Sequence, residues 1–68
     1  MSISYEKLWQ MMKANKMNKG QLKKAAQISQ NTITKLNNRQ TISMDTMLKF
    51  CKIFHCDIGD LMEVIEEE

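Results

Sequence analysis

The fifteen residues from Leu22 to Leu36, LKKAAQISQNTITKL, constrain this chain more than any other stretch. Their spacing predicts two short helices meeting at a tight corner, Gln27-Ile28. Ser29 stands where the second helix needs an N-cap, with a hydroxyl oxygen that can accept unpaired backbone N–H groups. Ile33 and Leu36 give that helix an inner face. Leu22, Ala25 and Ala26 do the same for the first, and the small alanines let the two helices approach closely. The opposite face presents Gln30, Asn31, Thr34 and Lys35, which can hydrogen-bond base edges or reach phosphates. Such a pair is a helix–turn–helix, and its outward row suits a DNA groove. A merely solvated helix face is the plainer account of the same four residues.

Charge weighs between the two accounts. Net charge is only +2. Yet positions 7–44 hold Lys7, Lys13, Lys16, Lys19, Lys23, Lys24, Lys35 and Arg39 and no acid, whereas from Asp45 onward seven acids face two lysines. A surface built only for solubility mixes its signs. Segregation of this kind points to a polyanionic partner, and the basic half is the one carrying the helix pair.

At 68 residues there is room for a single domain with one small core, expected over about residues 5–62 with 63–68 as an acidic tail. Proline is absent and glycine occurs only at Gly20 and Gly59, which favours an all-α chain with short connections. The seven methionines suit adaptable core filling. No apolar run approaches the roughly 20 residues needed to cross a bilayer, and the N-terminus lacks the order of a signal peptide. A cytoplasmic protein without membrane contact is the expectation.

Other chemistry is poorly provided for. There is one histidine, no glycine-rich loop and no pair of carboxylates placed for acid–base work, and five short helices leave little room for a small-molecule pocket. The chain is therefore not expected to be an enzyme or to carry a cofactor. Cys51 and Cys56 lie among apolar helical positions and are expected to be reduced, buried thiols. With His55 they make three candidate ligands where a closed zinc site needs four, in no familiar C-x-x-C spacing, so no metal is expected.

Along the chain, Leu8, Met11 and Met12, with Trp9 less regularly placed, predict a first helix over Tyr5 to about Lys16, with Ser4 as its cap. Asn15-Lys16-Met17 is a turn, and Asn18 caps the second helix. After the third helix comes a polar loop, Asn38-Arg39-Gln40-Thr41-Ile42. Ser43, helped by Asp45, opens a fourth helix with a buried stripe of Met47, Leu48, Cys51 and Phe54, flanked by Phe50 and Ile53. Asp57 caps a fifth, short helix whose Ile58 and Leu61 close the core. Five helices and no sheet are predicted over residues 5–62. Val64-Ile65 and the final glutamates are left without an assigned state.

The order Met17-Asn18-Lys19, Leu22, Ile28-Ser29, Ile33 and Leu36, then Ser43, Leu48, Phe54 and Asp57-Ile58-Gly59-Asp60-Leu61, resembles the Cro/C1-type (lambda-repressor-like) helix-turn-helix family, from about Leu8 to Leu61. The resemblance implies a compact five-helix DNA-binding domain. Four positions depart from the family pattern. Lys23 stands where alanine is usual, so that site is partly exposed or its stem passes beside helix three. Gln27 stands where glycine is usual, so either Gln27 is left-handed, at a cost of about 1 kcal/mol, or the turn is built differently. Met12 and Asn37 stand where many members pair Arg with Glu, which implies an apolar contact instead.

By the same resemblance, Gln30 and Asn31 begin the recognition helix and Lys35 faces the groove floor one turn on, with Thr34 beside it. Lys19 resembles the phosphate-contacting position at the start of helix two, where a helix N-terminus also offers N–H groups. Arg39 would grip the backbone from the other side, Asn38 and Gln40 would assist, and Ser29 and Thr32 are taken as further phosphate contacts. The expected function is transcriptional regulation, repressor-like, by a homodimer on double-stranded DNA. Met62, Val64 and Ile65, in helix five and the tail, are the expected dimer contacts. The alternative is a helix-turn-helix whose partner is another protein, as in an antitoxin-like or adaptor subunit.

Overall fold

Asn18, Ser29 and Ser43 each turn a side-chain oxygen onto a backbone N–H three residues ahead, and each opens a helix. At Asn18 the arrangement is reciprocal. Gln21 N donates to Asn18 Oδ1 at 2.8 Å, and Asn18 N donates to Gln21 Oε1 at 2.9 Å. These caps fix where helices begin in the computed structural model, which describes residues 2–66. In chain order come strand β1 (Ser2–Ser4), helices α1 (Glu6–Ala14), α2 (Lys19–Ala26), α3 (Gln30–Asn37) and α4 (Met44–Phe54), a 3-10 turn (Ile58–Asp60) and strand β2 (Glu63–Ile65).

The expected fifth helix is thus one 3-10 turn, and a two-stranded sheet, formed by residues on either side of 5–62, departs from the all-α class expected. β1 and β2 pair antiparallel, Ser2 opposite Ile65, Ile3 opposite Val64 and Ser4 opposite Glu63. Local bonding explains the change. Asp60 N and Leu61 N donate to carbonyls three residues back, at Asp57 and Ile58, which is 3-10 rather than α spacing. Leu61 is fully buried and its carbonyl accepts from Leu8 N at 3.0 Å, which anchors the turn on α1. Beyond it the β-branched pair Val64-Ile65 continues extended, against the alternating Ser2-Ile3-Ser4.

Each helix places its buried residues at helical spacing. Leu8 and Met12 come from α1, Leu22 and Ala26 from α2, Ile33 and Leu36 from α3, and Met47 and Phe50 from α4, with Tyr5 and Leu61 completing the core. The α4 stripe is a correction: Phe50 is fully buried, whereas Leu48 is 53% exposed. With the helix starting at Met44, positions 47, 50, 51 and 54 share one face and 48 falls off it. The α1 cap also differs by one residue. Tyr5 occupies the N-cap position, and Ser4, just outside, takes Glu6 N on its Oγ at 3.2 Å.

Candidate nucleic-acid interface

The corner between α2 and α3 is built on Gln27, which is left-handed at φ 54°, ψ 47°. That resolves the two arrangements open to the sequence. Ile28 N reaches back to Lys23 O at 3.1 Å and Gln27 N to Lys24 O at 3.3 Å, so the turn closes the carbonyl end of α2. Lys23 itself is half-buried. Directly after the corner, Ser29 Oγ accepts from Thr32 N at 3.4 Å and lies 3.4 Å from Thr32 Oγ1. Ser29 and Thr32 are therefore engaged with each other at the start of α3.

Ile33 and Leu36 hold the inner face of α3 in the core, which leaves Gln30, Asn31, Thr34 and Lys35 exposed on the other. The four do not stand alike. Thr34 Oγ1 donates to Gln30 O at 3.1 Å, so its hydroxyl proton is spent within the helix. Gln30, Asn31 and Lys35 side chains engage no hydrogen bond or ion pair among the described residues, and their donors and acceptors face solvent. A row of uncommitted amides with one ammonium can address base edges chemically.

At the far end of α3 the structure assembles a group the sequence did not announce. Lys19 Nζ donates to Asn37 Oδ1 at 2.6 Å and stands 4.6 Å from the centroid of the Trp9 ring. Asn37 is exposed and directed to Lys19, while Met12 is buried in the core. The expected Met12–Asn37 contact thus gives way to a Lys19–Asn37 hydrogen bond. Asn38 and Arg39 follow at once, Arg39 exposed and left-handed at φ 57°. Lys19, Asn38 and Arg39 therefore gather at the C-terminal end of α3, and Ser29 and Thr32 lie at its N-terminal end. Trp9 and Asn37 are the residues sequence reasoning missed. The signal was there in Trp9, an aromatic placed off the inner spacing of α1.

The expected dimer residues fall near the sheet, on no α-helix. Met62 is half-buried between the 3-10 turn and β2, Val64 is 62% exposed on β2, and Ile65 is half-buried. Met62 also lines a shallow apolar cavity of about 190 Å³ with Ile3, Ile42, Met44, Met47 and Ile58.

Cys51 and Cys56 are free thiols, half-buried rather than buried. Burial first, then neighbouring Cys51, Asp60 and Asp57, push the Cys56 thiol above its ordinary pKa. Among the described residues no three His, Cys, Asp or Glu side chains converge where a metal ion could be held. Nor is any helix of the described residues long and apolar enough to cross a membrane.

Comparison with known proteins agrees with this geometry. The crystal structure of the transcriptional regulator VanUg (Form II) matches with a TM-score of 0.91 and 35% identity, over 97% of this chain and 88% of that one. A comparison with curated protein sequences finds no match. The sequence profile of the Cro/C1-type HTH DNA-binding domain matches residues 7–67, nearly the whole chain. The chain belongs to the family of Cro/C1-type helix-turn-helix DNA-binding domains.

Proposed function

We propose that this chain is a sequence-specific, repressor-like transcriptional regulator that binds double-stranded DNA as a homodimer in the cytoplasm. The observation that carries the reading is the outward face of α3, where Gln30, Asn31 and Lys35 are exposed with no partner among the described residues. In the major groove, Gln30 or Asn31 pairs with adenine N6/N7 and Lys35 with guanine O6/N7. Thr34, its proton committed to Gln30 O, contributes acceptor lone pairs and a methyl group.

Lys19, Asn38 and Arg39 take backbone phosphates at one end of α3, and Ser29 and Thr32 at the other. The acid-free stretch 7–44 supplies the surrounding positive field. The homodimer uses Val64, 62% exposed, with Met62 and Ile65. Nearby Met44, 60% exposed beside the apolar cavity, widens that surface. Two recognition helices then meet half-sites about one helical turn, roughly 34 Å, apart, and the bound dimer occludes a promoter. VanUg, a transcriptional regulator of the same architecture, supports the regulatory reading.

Selection of bound sequences from random duplex DNA by the pure protein tests this. An enriched palindrome with half-sites one turn apart is expected. Recovery of random sequence would contradict specific readout and favour a protein partner.

A further inference from the structure

Lys19 is a long, exposed side chain, yet it is held at two points. Its ammonium donates to Asn37 Oδ1 at 2.6 Å and lies 4.6 Å from the Trp9 ring centroid. The three residues come from α2, α3 and α1, so the contact joins three helices at the end of α3. An unrestrained lysine samples many rotamers and loses them when it grips a phosphate. A lysine already held in place has lost them beforehand and binds more tightly for it. One of its three N–H groups goes to Asn37, which leaves two for an anion.

We propose that Trp9, together with Asn37, is a positioning residue of the DNA-binding surface: it fixes the Lys19 ammonium where one backbone phosphate is received. The inference rests on the DNA-binding reading above. It assigns to Trp9 a part that neither its core packing nor the recognition row requires. The indole face attracts the cation electrostatically without neutralising it, so the full charge remains for the phosphate. Asn37, a neutral acceptor, does the same; a carboxylate there would compete with the DNA. Because the contact is to backbone, it strengthens binding to every sequence equally.

A double-mutant cycle tests it, with affinities on a selected and a random duplex at matched salt. Trp9→Leu and Asn37→Ala should each weaken both duplexes by about 3- to 10-fold, in keeping with a cation–π or hydrogen-bond contact at an exposed site. Both should leave the salt slope unchanged, since the charge is still there. Lys19→Ala should flatten that slope by about one unit per subunit. In the Lys19→Ala background, adding Trp9→Leu or Asn37→Ala should change affinity less than about twofold. Equal losses with and without Lys19 would overturn the proposal, as would single variants that bind like the natural chain. Trp9 also packs against the core. Should Trp9→Leu fail to fold, Asn37→Ala at its exposed position completes the cycle alone. Absence of any duplex binding by the natural chain would overturn both this inference and the DNA-binding reading, whereas normal binding with no coupling overturns this inference alone.

Discussion

The Tyr5 hydroxyl donates a 2.7 Å hydrogen bond to the backbone carbonyl of Gln40, thirty-five residues away. It ties the start of α1 to the loop that leaves α3, next to Arg39. Tyr5 is 2% exposed, so its ring is core and its hydroxyl is the latch.

Removing only the hydroxyl isolates that latch. Tyr5→Phe should cost about 0.5–1.5 kcal/mol, read as a fall in Tm of several degrees for a domain of this size. A Tm equal to that of the natural chain would mean the bond contributes nothing.

Alkaline pH should act on the same bond. Burial holds the Tyr5 phenol above its ordinary value of 10.0 and, with Cys51, Asp60 and Asp57, the Cys56 thiol above 9.0. A folded pKa raised above the unfolded one favours the protonated form in the fold. The stability so gained is complete below the unfolded values and is lost as pH rises through the folded ones. Tm should be level near neutrality with respect to these two groups and fall above about pH 9, and Tyr5→Phe should remove the later part of the fall. A Tm unchanged to pH 11 would contradict the assignment.

On α4, Phe50 and Leu48 should behave oppositely although both are large and apolar. Phe50→Ala empties a fully buried site and should cost about 3–5 kcal/mol, enough to unfold much of a small domain. Leu48→Ala, at a site 53% exposed, should stay within about 0.5 kcal/mol. Chemical denaturation of both variants checks the pair.

The corner of the helix–turn–helix carries a left-handed glutamine, and a glycine there escapes most of the Cβ strain. Gln27→Gly should therefore stabilise the fold by about 0.5–1 kcal/mol. A destabilised variant would show that the Gln27 side chain contributes contacts that outweigh the strain.

What could be read in advance followed the range of the interactions. Asn18, Ser29 and Ser43 act on N–H groups three residues away, so their helices were legible from neighbouring letters. The outward face of α3 followed from Ile33 and Leu36 in the same way. β1 and β2 were not legible, because each is three residues long and its partner lies at the other end of the chain. The apolar run Met47-Leu48, Phe50-Cys51, Ile53-Phe54 offers two overlapping stripes, and only the packing of α4 chooses between them. Lys19 was recognised as a cation at a helix start. Its hold on Asn37 and Trp9 required the third dimension.

In the function proposed above α3 reads bases while Lys19 grips backbone, and Lys35→Ala separates the two roles. Lys35 is exposed on the face opposite Ile33 and Leu36, one turn beyond Gln30 and Asn31. On the selected duplex Lys35→Ala should cost about 1–3 kcal/mol of binding, and much less on random DNA at the same ionic strength. Lys19→Ala, measured alongside, should weaken both duplexes by similar amounts. Equal losses from Lys35→Ala on the selected and the random duplex would contradict the account, since α3 would then not be the helix that reads sequence.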